Sequence, residues 1–317
     1  ATNCVGTANA FAAGWGNMGG GAANAVMPFI FTGLVAWGVT PHSSWRLAMI
    51  VPGIMVLATG VCYYLFTQDC PAGNFDELRK RGESVENSKR AVKGGFWIAC
   101  KDYRVWILAL VYGSCFGVEV VMHGTAQDNF QSTFSLSPTT AGLIAGAFGG
   151  LAIFARGLGG YISDKIARKN GLKGRVLTLA TYLLLQSIAM LLLSKSSLLA
   201  GSVTWLLIFG LFVHMAAGGT YAVIPFINKK VLGSVAGIVG AGGNMGAMLG
   251  GFLLKVNGVS YWQAIAYMGI GVFIASVSAL AIRFNAADES IASTEFAAGA
   301  ASNAAPVPAP AILATGE

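Results

Sequence analysis

Eight stretches of this chain, about 7–37, 46–67, 103–127, 138–162, 175–195, 199–226, 231–256 and 262–284, are long, apolar and nearly free of charge. A bilayer core takes about 20 apolar residues of helix to cross. No water is present there, so a spanning segment must satisfy its own backbone groups, as a helix does. The pattern predicts an all-α polytopic membrane protein with eight transmembrane helices. Composition agrees: 10% of residues are charged, against about 25% in soluble domains, too few to solvate a globular surface. A net charge of +7 would suggest nucleic acid in a soluble protein. Here the cations lie between apolar blocks, which argues for the lipid bilayer as partner and against nucleic acid.

Those cations are unevenly placed. Arg79, Lys80, Arg81, Lys89, Arg90, Lys93, Lys101 and Arg104 surround the segment between the second and third blocks. Lys165, Arg168, Lys169, Lys173 and Arg175 come two blocks later, and Lys229, Lys230 and Arg283 complete that side. The other side has only Arg46, Lys195 and Lys255. The bias predicts a cytoplasmic central loop and C-terminus. Cys4, Cys62, Cys70, Cys100 and Cys115 show no metal or disulfide spacing.

The stretch Gly14-Trp15-Gly16-Asn17-Met18-Gly19 fits the dinucleotide pattern G-x-G-x-x-G. That fingerprint needs a preceding strand and an acidic residue about twenty positions on. An Ala-rich segment precedes it, and the first acidic residue of the chain is Asp69, so the nucleotide reading fails. A second stretch, Gly240-Ala-Gly-Gly-Asn244-Met-Gly246, repeats its Gly-Asn-Met-Gly, in the seventh apolar block against the first. Copies six helices apart occupy matching places in a transporter built of two six-helix halves. Gly16 and Gly20, like Gly242, Gly246 and Gly250, recur every four residues, so backbones should approach there. Asn17 and Asn244 then present amides at crowded interfaces, either as glue between helices or as a shared central site.

These stretches, with WRLAMIVPG (45–53), YGSCFGVEV (112–120), AGLIAGAFGGLAIFARGLGG (141–160) and YAVIPF (221–226), resemble the nitrate/nitrite porter family of the major facilitator superfamily. The likeness is strongest to high-affinity nitrate transporters of algae and plants, and runs to about residue 284. It implies a twelve-helix fold of which this chain holds eight. Residues 1–67 would be the last two helices of the N-terminal bundle, 68–101 a cytoplasmic loop, 102–284 the six-helix C-terminal bundle, and 285–317, with Pro306, Pro308 and Pro310, a disordered cytoplasmic tail.

Arg156 lies eight residues before Asp164, roughly 12 Å along a helix, and so near mid-membrane. A charge there is costly and needs a partner. Glu119 or a backbone carbonyl is one reading; an anion site is the other, because a planar guanidinium matches a planar oxyanion. The resemblance implies substrate contact by Arg156, opposed by an arginine on a helix outside this chain. It implies the same contact for Tyr112 and Phe116, which the residues alone would leave as ordinary packing. Gly160-Tyr-Ile-Ser-Asp164-Lys-Ile-Ala-Arg168 fits the G-x-x-x-D-[RK]-x-x-R loop, where the family uses the carboxylate as a conformational latch. The alternative there is a simple positive-inside loop. Glu119, an acid within a span, is a candidate for proton coupling or a local partner; His123 and His214 are weaker.

The signature glycines are thus Gly14, Gly16, Gly19, Gly20, Gly240, Gly242, Gly243 and Gly246. The expected function is nitrate, and also nitrite, transport by alternating access with protons, in the plasma membrane, with no cofactor, metal or enzymatic chemistry. A nitrate/nitrite exchanger and a shortened, non-transporting sensing or assembly partner stay open. So does an accessory membrane protein.

Overall fold

The computed structural model describes residues 5–69, 73–82, 92–286, 288–290 and 292–294. Their helices are α1 (Val5–Ala36), α2 (Pro41–Ala48), α3 (Ile50–Phe66), α4 (Phe75–Lys80), α5 (Gly95–Cys100) and α6 (Tyr103–Tyr112). A π turn, Gly113–Gly117, leads into α7 (Val118–Phe134). Then follow α8 (Pro138–Gly150), α9 (Ala152–Lys195), α10 (Leu199–Val223), α11 (Leu232–Leu253) and α12 (Tyr261–Ala279). The central segment expected as loop holds two short helices, α4 and α5. The tail beyond 294, with its three prolines, lies outside the described residues.

Seven helical segments are long and apolar enough to cross a membrane, and one of them, Pro138–Lys195, has 58 residues. At 1.5 Å per residue that is roughly 87 Å, far beyond one bilayer core. Gly171, at φ 64° and ψ −158°, turns the chain inside α9, and the segment makes two crossings. The eight blocks of the sequence are recovered once that turn is counted.

The body is α6–α12, with its core around Phe130, Phe148, Phe209, Leu179, Leu183 and Met190. Glycine sets how closely these helices approach. A Cβ on Gly159 would land on the Met215 carbonyl, and one on Gly218 on the Arg156 carbonyl, so α9 and α10 are in backbone contact. A Cβ on Gly246 would strike Gly113 O, and one on Gly242 would lie 2.5 Å from Ala109 O, which joins α11 to α6 and the π turn.

Helix α1 also docks on this body. A Cβ on Gly14 would lie 2.6 Å from Ala152 O, and one on Gly21 2.6 Å from the Gly149 carbonyl carbon. Asn24 Nδ2 donates to His123 O at 2.9 Å. By contrast, α3 has no buried residue.

Around the Gly171 turn the polar residues interlock. Arg175 Nη1 donates to Asp164 Oδ1 at 2.7 Å, both buried. Glu289 accepts from the N–H groups of Leu172 (2.9 Å) and Lys173 (3.2 Å), the first turn after Gly171, where a helix end favours an anion. Nearby, Arg104 pairs with Asp102 at 2.7 Å and Asp288 at 3.2 Å. Burial alone would raise the Asp102 carboxyl, but hydrogen bonds from the Arg104 side chain and backbone, with its charge, hold it below the usual range.

Candidate functional site

The polar centre of the body is assembled from five elements. The π turn inserts an extra residue into the α6–α7 helix, a feature frequent at functional sites. Tyr112 and Phe116, at its two ends, stack with ring centroids 5.0 Å apart and an interplanar angle of 1°. Glu119 follows at the start of α7, 1% exposed. Arg156 on α9 is 0% exposed and donates from Nη2 to Glu119 Oε2 at 2.6 Å. Its guanidinium carbon lies 5.8 Å from the Phe116 ring centroid, within cation–π reach. Backbone contact between α9 and α10 brings in His214, whose Nδ1 is 3.5 Å from Glu119 Oε2 and whose Nε2 is 3.1 Å from Phe148 O.

The readings of Arg156 meet here. The sequence left an ion pair with Glu119 and an anion site as alternatives; the structure has the ion pair. It uses one of three guanidinium nitrogens. Arg156 Nε and Nη1, Glu119 Oε1, His214 Nδ1 and His123 Nε2 are all buried without a hydrogen-bond partner among the described residues. Buried polar groups left unpaired cost about 1–3 kcal/mol each. So many in one place mark a centre whose donors are unsatisfied in this conformation.

Both glycine signatures press on the centre. On α1, a Cβ on Gly14 would lie 3.4 Å from Arg156 Cβ, and one on Gly20 2.8 Å from His123 Nδ1. On α11, a Cβ on Gly243 would lie 2.7 Å from the Tyr112 ring and 2.8 Å from that of Phe116. Gly242 and Gly246 form the α6 contact, while Gly16, Gly19 and Gly240 face open space. The expectation that Gly16 and Gly20 share one packed face is corrected for Gly16: Gly20 packs on the His123 ring, and the backbone contacts of α1 are made at Gly14 and Gly21, two turns apart.

The two asparagines do not reach across. Asn17 Nδ2 donates to Ala13 O at 2.8 Å and Asn244 Nδ2 to Gly240 O at 3.1 Å, each within its own helix. Asn244 is exposed. Of the loop residues, Gly160 and Asp164 are buried and Arg168 is exposed; Arg175 is the cation that meets Asp164.

Tyr221 was missed as a site residue. Its hydroxyl lies 3.3 Å from that of Tyr112, with the rings edge to face. Its only signal was its place in YAVIPF, which says nothing of where the side chain points.

Residues 5–185 match the Major Facilitator Superfamily. The chain is 35% identical over 283 residues to High-affinity nitrate transporter 2.3 of Oryza sativa subsp. japonica, covering 88% of this chain and 54% of that protein. It is 38% identical over 269 residues to High affinity nitrate transporter 2.5 of Arabidopsis thaliana, with 84% and 53% covered. To Nitrate transporter 2.2 of Chlamydomonas reinhardtii it is 36% identical over 293 residues, with 88% and 56% covered. The chain spans about half the length of the curated relatives it matches.

Proposed function

Proceeding from a chain that belongs to the Major Facilitator Superfamily, we propose that it is the substrate-holding part of a nitrate transporter, with nitrite as a second substrate, working by alternating access. The observation that carries this is the buried Arg156, with Nε and Nη1 unpartnered beside a stacked Tyr112–Phe116 pair. Both bidentate edges of a guanidinium include Nη2, so one of these two nitrogens, with the second hydrogen of Nη2, can hold a planar oxyanion by two N–H groups. The aromatic faces beside the guanidinium limit water there, which strengthens each electrostatic contact. Relatives named as nitrate transporters support the choice of anion, and nothing in the arrangement calls for enzymatic chemistry.

An inside-negative membrane opposes anion entry by about 2.3 kcal/mol per charge per 100 mV. Uptake therefore needs a coupled cation, and we take protons as that cation, in the plasma membrane, with the central loop and C-terminus cytoplasmic. Asp164 with Arg175 acts as the latch of one state, at the turn where α9 changes direction.

Arg156→Lys in the full-length protein tests the reading. Lysine keeps a charge for Glu119 but loses the planar fork. Nitrate uptake should fall by at least about 30-fold at matched surface level, a loss of about 2 kcal/mol in transport-competent binding. Uptake at near-normal rate and affinity overturns the substrate role of Arg156. If the wild-type protein moves no nitrate at all, the non-transporting alternative is favoured instead.

A further inference from the structure

We propose that the groove between α6, α11 and α12 holds an acyl chain of an anionic phospholipid, whose headgroup is taken by the lysines at the α5 end of that groove. Helices α11 and α12 follow one another in the chain, yet α11 packs chiefly on α6 and α12 on α9. The space left between them is about 780 Å³, lined almost wholly by apolar surface. It runs along α11 from Ser234 to Leu253, roughly 28 Å of helix, against a bilayer core of about 30 Å. A chain from one leaflet needs about half that depth. A Cβ on Gly237 of α11 or on Gly271 of α12, both lining the groove, would meet nothing within 4 Å. Surface facing such a gap loses its dispersion contacts unless another apolar group fills it, and inside a membrane the group at hand is a lipid tail.

Charge decides which lipid. Helix α5 closes one end of the groove: a Cβ on Gly95 would lie 3.2 Å from Val231 and 3.5 Å from Ser234 Oγ, and Phe96 is part of the wall. Lys93 precedes α5, Lys101 follows it, and Lys229 and Lys230 come immediately before Val231. All four are exposed. Asp102 and Asp288, acids at this end, are both engaged by Arg104. Trp97 and Trp106 are 69% and 54% exposed, and tryptophan collects at the level of the headgroups. The Trp106 indole N–H donates to Cys100 O at 2.8 Å, which fixes its ring as a wall of the groove. A lipid whose tail enters here therefore sets its headgroup among four cations, where a negative one is preferred.

The groove is separate from the polar centre. Gly242 and Gly246 line it, but Gly243, which packs on Tyr112 and Phe116, does not. The inference accordingly needs only that the chain crosses a membrane, and not the identity of the anion it carries.

The test places full-length protein in phosphatidylcholine vesicles that hold a minor share of a photoreactive lipid, with a diazirine in one acyl chain. The headgroup of that lipid is either phosphatidylglycerol or phosphatidylcholine. After illumination, labelled peptides are mapped by mass spectrometry. Label should concentrate on 106–114, 234–253 and 268–272. At low salt the phosphatidylglycerol form should exceed the phosphatidylcholine form at least about fivefold, the ordinary share of one lysine at a membrane surface. Gly237→Leu and Gly271→Leu place bulk in the groove and should each remove most of the label there from both forms. Joint replacement of Lys93, Lys101, Lys229 and Lys230 by glutamine should bring the two forms to near parity with the groove still labelled. Leu177→Phe, on an exposed part of α9 outside the groove, should change neither. Equal labelling of wild type by the two forms, or label spread evenly over the lipid-facing helices, reports bulk lipid only and overturns the proposal. Absence of label from the wild-type groove also overturns it, since other helices or a second copy would then cover this face. So does a headgroup preference that survives loss of the four lysines, or full label in both glycine variants. Should one glycine variant misfold, the other serves, and the wild-type map stands by itself.

Discussion

Helix α1 and the segment Pro41–Phe66, made of α2 and α3, follow one another in the chain, and both are long and apolar enough to cross a membrane. Helix α3 is more apolar than α1, yet it buries nothing, while α1 lies in backbone contact with α8 and α9. The difference is where their glycines point. Gly14 and Gly21 of α1 abut Ala152 and Gly149, whereas Gly53 and Gly60 of α3 meet nothing within 4 Å. Lipid tails are as apolar as leucine, so apolar surface alone does not draw two helices together. Close approach of backbones does.

The comparison breaks most easily at Gly21. We expect Gly21→Leu to destabilise the chain by about 3 kcal/mol or more, at or beyond the top of ordinary overpacking, with α1 becoming protease-sensitive. Gly53→Leu in α3 should stay within about 0.5 kcal/mol, as for a surface position. Thermal unfolding in detergent reads both, and equal losses would end the distinction. The second test moves to α11. Gly246→Leu drives a side chain into Gly113 O and should cost about 3 kcal/mol, while Phe252→Leu, 60% exposed, should cost under about 1 kcal/mol. Comparable uptake by these two variants in the full-length protein, at matched surface levels, would remove the glycine contact as a requirement. The smallest effects sort the asparagines. Asn24→Ala loses a bond between helices and should cost about 1 kcal/mol. Asn17→Ala and Asn244→Ala lose bonds within a helix and should cost under about 0.5 kcal/mol. A loss of nitrate affinity in either, without loss of stability, would restore it to the substrate site.

Much of the architecture is legible in the sequence because lipid allows so few solutions: a long apolar run must be a helix, whatever its neighbours. The break between the fourth and fifth blocks was legible, but its position at Gly171 was not, because the polar residues 163–170 look like loop while continuing the helix. The centre was legible by type, with Arg156, Glu119, Tyr112 and Phe116 all identified, but not by pairing. Which of its possible partners Arg156 takes depends on the facing direction of helices that pattern alone leaves free to rotate. For the same reason Gly14, Gly16 and Gly20 could not be ranked, since a glycine carries no side chain whose polarity betrays its direction. His214 looked like an ordinary residue in an apolar run. Its chemistry comes from Phe148 O on one side and Glu119 on the other, contributed from 66 and 95 positions earlier in the chain.

The π turn at Gly113–Gly117 has a consequence for how such a site can arise or vanish. Each residue of an α-helix advances the side-chain direction by about 100°, so one residue accommodated in a wider turn re-indexes everything after it. The offset is what aims Glu119 at Arg156 while Tyr112 keeps its place on the other side of the turn. No exchange of one side chain for another achieves that. Loss of a single codon between Tyr112 and Glu119 would let the helix close up and carry the carboxylate about a quarter turn away, leaving every residue type of the centre intact. The length of this stretch is accordingly as much a part of the site as its chemistry.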